Sequence, residues 1–282
     1  MVKNGHIVIS GEIVKQSQNV IIERRHHIMG LLAQNCHLRV SDLSEILSVS
    51  EITIRRDLGY LANEGLLYRV HGGARLASET DPPLPLYEDK HKSRQLQKQE
   101  IAKSIANLID DGDTVFLNAG TTTMEVIRLI KEKNVVIVTN NALASTVMHD
   151  CNATLISTGG EYCPRNQSYT GPMATSLMQR INASLCVLGV NGITAEDGIT
   201  SSNYMETLIN EEMLRRCRGK CIVAADSSKV GKVFNFASAP ISSIDLLVTD
   251  SGIDPVHLNK FKDVGLEVVL ADTISIHYHP EL

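Results

Sequence analysis

Two groups of residues in this chain have types and spacings that could do chemistry. The first is centred on the adjacent pair Arg55 and Arg56, with Ser50, Glu51 and Thr53 just upstream. Two guanidiniums beside a hydroxyl near a helix start suit phosphate oxygens and guanine edges in a major groove. Arg69, His71 and Arg75 flank a Gly72-Gly73 turn and are candidates for DNA backbone contacts. The second group begins with Asn118-Ala119-Gly120-Thr121-Thr122-Thr123. A glycine turn, three hydroxyls and the free N–H groups of a helix N-terminus form an anion cradle. No Gly-Lys-Ser/Thr follows, so this is not a Walker loop. Thr139, Asn140, Gly159, Gly160, Asn191, Asp197 and Asp226-Ser227-Ser228-Lys229 recur after other apolar runs. Each is an ordinary turn taken alone, but together they offer hydroxyls, amides, carboxylates and, at Lys229, a point charge for a phosphate.

Elements must hold these residues in place. Leu43, Ile46 and Leu47 predict one short amphipathic helix, and Ile54, Leu58 and Leu61 a second. Ser41 and Ser50 are the expected N-caps. A tight polar turn between two such helices is the helix-turn-helix pattern, with Glu51, Thr53, Arg55 and Arg56 outward. Ile21, Ile28, Leu31 and Leu32 predict a supporting helix from about Val20 to Gln34, with Arg24, Arg25, His26 and His27 mostly off its apolar face. The adjacent histidines cannot share a helix face, which argues against a metal pair. Leu66 to Val70 and Ala74 to Leu76 predict the two strands of a wing.

The domains expected are an extension over 1–18 without assigned function, a winged helix-turn-helix over 19–76, a linker over 77–92 and an α/β body over 93–282. Pro82, Pro83 and Pro85 mark the linker, and an amphipathic helix is expected to continue from Tyr87 through Ile109. Beyond Asp113, apolar strands at 115–117, 135–138, 155–156, 185–190, 221–225, 246–248 and 266–270 alternate with helices at 124–130, 143–148 and 208–214. Continuous apolar strands separated by helices predict a largely parallel sheet covered on both faces. Ligands of such sheets bind at the carboxyl ends of strands, where the second group of residues falls.

The 282 residues are 43% apolar and 21% charged, as in a soluble globular protein. Net charge is −5, but residues 1–75 hold nine Lys/Arg against seven Asp/Glu, a net +2 that leaves −7 for the rest. A basic head on an acidic body predicts double-stranded DNA binding by the head alone. The six cysteines form no C-x-x-C and no zinc spacing, so no metal and no cofactor is expected. Unpaired thiols and the lack of a leader-like segment predict a cytoplasmic protein, and no apolar run reaches membrane-span length.

The string V-S-E-I-T-I-R-R-D-L-x-x-L-x-x-x-G-L-L-x-R-x-H-G-G-A resembles the signature of the DeoR family of bacterial repressors. In the body, D-G-D-T-V-F-L-N-A-G-T-T-T, V-T-N-N, T-G-G, G-V-N-G-I and A-D-S-S-K resemble that family's sensor domain. The resemblance runs from about Ile21 to Leu270. It implies a phosphosugar-sensing domain with a fold like ribose-5-phosphate isomerase, and a homo-oligomeric (dimer or tetramer) repressor of a carbohydrate operon. It also raises a rival, a sugar-phosphate isomerase fused to a DNA-binding head. Glu206 and Lys229 resemble isomerase positions, yet the isomerases' acidic D-G-A-D loop is here Asn191-Gly192-Ile193-Thr194, with neither carboxylate. The expectation is therefore a sensor, with a vestigial-pocket DNA-binding scaffold as a third reading.

Overall fold

The computed structural model describes residues 10–35, 37–63, 66–70, 72–76 and 87–271. The chain divides into two compact units, Met1–Pro83 and Leu84–Leu282.

In the first unit, α1 (Ser10–Gln34), α2 (Val40–Leu47) and α3 (Glu51–Asn63) pack on a small antiparallel sheet of β1 (Leu38–Arg39), β2 (Leu67–Val70) and β3 (Gly73–Leu76), in the order β1-β3-β2. The core is Ile28, Leu32, Val40, Leu43, Ile54, Leu58, Leu61, Leu67 and Ala74, of which Ile28, Leu32, Leu43, Ile54, Leu58 and Leu61 are residues the helical spacing selects. Ile46 departs from the expected inward set and is 52% exposed. Ser41 is not the cap of α2. That helix begins at Val40, and the Arg39 N–H is held by Asp42 Oδ2 at 3.3 Å, so the sequence reading placed the helix start two residues late. Ser50 does cap α3, accepting from the Thr53 N–H at 3.2 Å. Residues 10–18, expected within an extension, continue α1, and His6–Ile9 lie outside the described residues. At Gly73 a Cβ would stand 2.2 Å from the Leu38 carbonyl oxygen, so only glycine lets β3 lie against β1 there.

The second unit opens with two helices, α4 (Tyr87–Lys92) and α5 (Gln95–Ala106), where one continuous helix through Ile109 was expected. The break falls at Ser93-Arg94, with Arg94 left-handed at φ 52°. There follow β4 (Thr114–Leu117), α6 (Thr121–Ile130), β5 (Val136–Thr139), β6 (Thr154–Ser157), a hairpin of β7 (Glu161–Cys163) and β8 (Ser168–Thr170), α7 (Pro172–Met178) and β9 (Ala183–Gly189). Then come β10 (Gly192–Thr194), β11 (Gly198–Ser201), α8 (Tyr204–Arg216), β12 (Cys217–Ala224), β13 (Phe236–Ala239), β14 (Leu246–Asp250), α9 (Pro255–Asp263) and β15 (Glu267–Ala271). The segment expected as a helix at 143–148 is a single 3-10 turn, Ala144–Val147.

Seven strands form one parallel sheet in the order β15-β14-β12-β9-β4-β5-β6, while β10, β11 and β13 make a separate antiparallel sheet. Alternation along β4 places Val115 and Leu117 in the core with α5 and α6, and Phe116 in the opposite core with Leu188, Ile209 and Phe261. Strand order runs outward from β4 in one direction and from β9 in the other. The β4–β9 boundary is thus the topological switch point, where the following loops part and leave a crevice.

Candidate functional site

A cleft of about 160 Å³ opens at that switch point. One wall is the β4–α6 loop and first turn of α6, Ala119 to Thr122, and a second is Gly189-Val190-Asn191 after β9. Glu206 of α8 and the Ala224–Asp226 end of β12 with Lys229 add to it, and α4, the corner after it and α5 supply Tyr87, Asp89, Lys90, Ser93 and Lys98. Asn166, from the β7–β8 turn, completes the lining.

The loop is held in place by polar side chains that do not themselves line the cleft. Asn118 Nδ2 donates to the Gly189 carbonyl at 2.8 Å and to Asn210 Oδ1 at 2.9 Å, while its Oδ1 accepts from the Gly189 N–H at 2.8 Å. One buried amide therefore fastens the two strand ends of the switch point. Asn140 Oδ1 accepts from the Ala119 N–H at 2.7 Å, and Thr123 Oγ1 donates to the Asn118 carbonyl at 2.7 Å. Thr139 Oγ1 accepts from the Asn141 N–H at 3.0 Å. Gly120, Thr121 and Thr122 remain at the cleft surface with the N-terminus of α6, where the helix dipole favours an anion.

Burial shapes the charged groups. Lys98 is 4% exposed, and its Nζ donates to the Ser93 carbonyl at 2.7 Å and to the Lys90 carbonyl. Burial pushes its pKa down to about 8, the nearby Asp226 carboxylate opposing the shift. Burial likewise lowers Lys229, again opposed by Asp226. The Glu206 carboxyl is raised by desolvation. Its Oε1 accepts from Asn166 Nδ2 at 2.8 Å, and its Oε2 lies 3.0 Å from Ser201 Oγ.

Of the residues singled out in the sequence, Gly120, Thr121, Thr122, Asn191, Glu206 and Lys229 come together in this cleft. Asn118, Thr123, Thr139 and Asn140 sit behind it as buried supports. Gly159 and Gly160 are outside the lining; Gly160 turns at φ +112°, and a Cβ there would stand 2.5 Å from the Thr170 carbonyl oxygen. Asp197 is also outside it, exposed in the β10–β11 turn with its Oδ2 accepting from Thr194 Oγ1 at 3.1 Å. Asp226, noted with Lys229 in the sequence, also lines the cleft, whereas sequence reasoning missed Lys98, Asn166 and the α4 residues. For Lys98 a signal was present, a lysine in register with Ile101, Ala102 and Ile105 on the apolar stripe of α5. For Asn166 we find none.

In the first unit, Glu51 is exposed at the start of α3 and Thr53 and Arg55 are half-buried beside it, with Ser50 Oγ and Thr53 Oγ1 2.9 Å apart and Arg55 bridged to Glu51 at 3.0 Å. Arg56 is half-buried on the same helix. Arg24 and Arg25 of α1 meet Asp57, which is 1% exposed, at 2.5 and 3.0 Å, so α3 is pinned to α1. Arg25 also lies over the Tyr60 ring at 3.6 Å. On the wing, Arg69 is half-buried, its pKa lowered to about 10 by burial and secondarily by the Arg55 charge. The Arg75 guanidinium stands over Tyr68 and donates to the Leu76 carbonyl at 3.2 Å. His71 lies outside the described residues. Among the described residues, no group of histidine, cysteine and acidic side chains is placed to hold a metal ion, and no helix is long and apolar enough to cross a membrane.

A winged helix-turn-helix unit followed by an α/β unit with a polar cleft at its switch point defines a DNA-binding regulator with a ligand-sensing domain. Residues 24–80 match the DeoR-like helix-turn-helix domain and residues 93–251 the DeoR C terminal sensor domain. The chain belongs to the DeoR family. It is 33% identical over 251 residues to a putative aga operon transcriptional repressor of Escherichia coli O157:H7, covering 88% of this chain and 93% of that protein. It is 31% identical over 232 residues to the glycerol-3-phosphate regulon repressor of Escherichia coli K12, covering 81% and 90%. Both relatives are named repressors, and the chain is a regulator rather than an enzyme. Among solved structures it is similar to ribose 5-phosphate isomerase A of Methanocaldococcus jannaschii, at 15% identity over 49% of this chain and 55% of that one, with a TM-score of 0.37. At that score the likeness carries no functional weight.

Proposed function

We propose that this protein represses a carbohydrate-utilisation operon and is released from operator DNA by a phosphorylated sugar or sugar alcohol bound in the switch-point cleft. The observation that carries the reading is the make-up of that cleft. It brings the N-terminus of α6 at Gly120–Thr122 together with Lys98 and Lys229, and adds Asn166, Asn191 and Glu206. The first set suits a phosphoryl group and the second suits hydroxyls. The names of the aga operon and glycerol-3-phosphate regulon repressors support a sugar-phosphate effector. Ser50, Glu51, Thr53, Arg55 and Arg56 would contact the operator with wing support from Arg69, His71 and Arg75, while Ser41 lies at the exposed start of α2. The protein would act in the cytoplasm as a homodimer or homotetramer, so that two heads address paired half-sites.

Calorimetry with a phosphorylated sugar and its unphosphorylated parent, on wild type and Lys229→Ala, tests the site. A charge-assisted contact contributes roughly 1.5–3 kcal/mol, and the loss should fall on the phosphorylated ligand. Equal losses for both ligands would remove Lys229 as the phosphate contact. Turnover of a sugar phosphate by the purified protein would restore the isomerase reading.

A further inference from the structure

Arg94 combines two local disadvantages. It is a non-glycine residue at φ 52°, ψ 41°, and it occupies the N-cap of α5 with no side-chain cap bond. Arginine is a poor N-cap, and a left-handed non-glycine residue persists only where its surroundings over-determine it. The surroundings here do so from two sides. The Arg94 guanidinium donates to Ser227 Oγ at 2.9 Å and stands 3.7 Å from Asp226 Oδ1, reaching the turn after β12. From α5, the buried ammonium of Lys98 donates to the Lys90 and Ser93 carbonyls, tying α5 back to the α4 side of the same corner. Upstream of the corner, Tyr87, Asp89, Lys90 and Ser93 form a wall of the cleft. Upstream of Tyr87 in turn, the chain runs through residues 77–86 to β3 of the DNA-binding unit.

We propose that Arg94 is a positioning residue which makes α4 the part of the sensor that reports effector occupancy to the DNA-binding unit. The inference rests on the effector reading of the cleft given above. A ligand in the cleft touches α4 on one side, while the Arg94 corner fixes α4 to the Asp226–Lys229 turn on the other. A change at that turn therefore shifts α4, and with it the start of the segment leading to the wing. Arg94 itself does not line the cleft, so its removal should spare the ligand contacts and the operator contacts while weakening the communication between them.

The test uses the full-length protein with Arg94→Ala, Arg94→Gly and Arg94→Lys. The glycine variant keeps the left-handed backbone without strain, which guards against a mere folding defect. Operator affinity is measured without and with saturating glycerol 3-phosphate, ribose 5-phosphate and a series of hexose 6-phosphates. Ligand affinity is measured separately by calorimetry. Expected are unchanged operator affinity without ligand, ligand affinity within about threefold of wild type, and a ligand-induced fall in operator affinity at least tenfold smaller in the alanine and glycine variants, with partial recovery in Arg94→Lys. Hydrogen exchange over Tyr87–Ser93 should quicken in the same two variants, with or without ligand. A full ligand response in Arg94→Ala and Arg94→Gly, or unchanged exchange over α4, would overturn the inference alone. No response of the wild type to any of these phosphates would overturn the effector reading and this inference with it.

Discussion

Arg55 and Arg56 stand side by side near the start of α3, both half-buried. Arg55 is 38% exposed and shared with Glu51, an exposed i,i+4 pair of small net value, so it can exchange that carboxylate for a phosphate or a guanine edge at little cost. Truncating either arginine to alanine should weaken binding to a mapped operator by about 1–3 kcal/mol at fixed salt, with an unchanged melting temperature. Unchanged affinity in both variants would reassign the recognition face. Lys98 gives a prediction of another kind. Its pKa is about 8 in the folded chain against 10.5 for an ordinary lysine, so below pH 8 it is charged in both folded and unfolded states. Between pH 8 and 10.5 the unfolded chain binds a proton that the folded chain does not, so this group makes stability rise with pH across that window. Wild type should therefore gain stability relative to Lys98→Met from pH 8 to 10.5 in parallel denaturant titrations. A flat difference would show that the burial of Lys98 is relieved by solvent. Residue types at strand ends were readable in sequence because turns after apolar strands concentrate small polar side chains. Which of them face a cleft and which brace it was not, since Asn118 and Thr122 differ only in direction, and direction is fixed by partners distant in sequence such as Gly189 and Asn210.

Among the elements, α3 owes its placement to a charge cluster behind it. Asp57 is nearly fully buried, and Arg24 and Arg25 reach it from α1. Removing one partner of a fully buried pair costs roughly 3–5 kcal/mol; with both arginines 16–17% exposed and able to regain water, we expect about 1–3 kcal/mol for Asp57→Ala. The lowered melting temperature should be accompanied by weaker operator binding, whereas Arg55→Ala should show the second effect alone. A sequence pass sees Asp57 as one more polar residue of an amphipathic helix, because its partners lie more than thirty positions upstream. The apolar strands of the large sheet were legible from their continuous apolar runs, and α3 from its helical period. The β10–β11–β13 sheet and the β7–β8 hairpin were not, since strands of three or four residues are too short to show a period. The break between α4 and α5 was hidden for a different reason. Nothing in Ser93-Arg94 is a helix breaker, and the corner is made by Lys98 and Asp226 instead.

At the scale of the whole molecule, the division at Pro83 and Leu84 predicts that residues 84–282 expressed alone fold and bind the effector but not DNA. Salt-dependent operator binding by that fragment would contradict it. The parallel sheet has a further consequence, for the order in which the protein is made. None of its neighbouring strands is joined by a hairpin, and its central pairing sets Val115 against Leu185. The first unit asks far less of the chain, its most separated strand pairing being Leu38 with Ala74. Long loops must close before such distant pairings contribute, so topology makes the body the slower part to fold and the head the faster. On the ribosome the head is therefore complete while the sheet still lacks β9. A nascent or prematurely ended chain would carry an operator-reading surface that no metabolite can yet switch off.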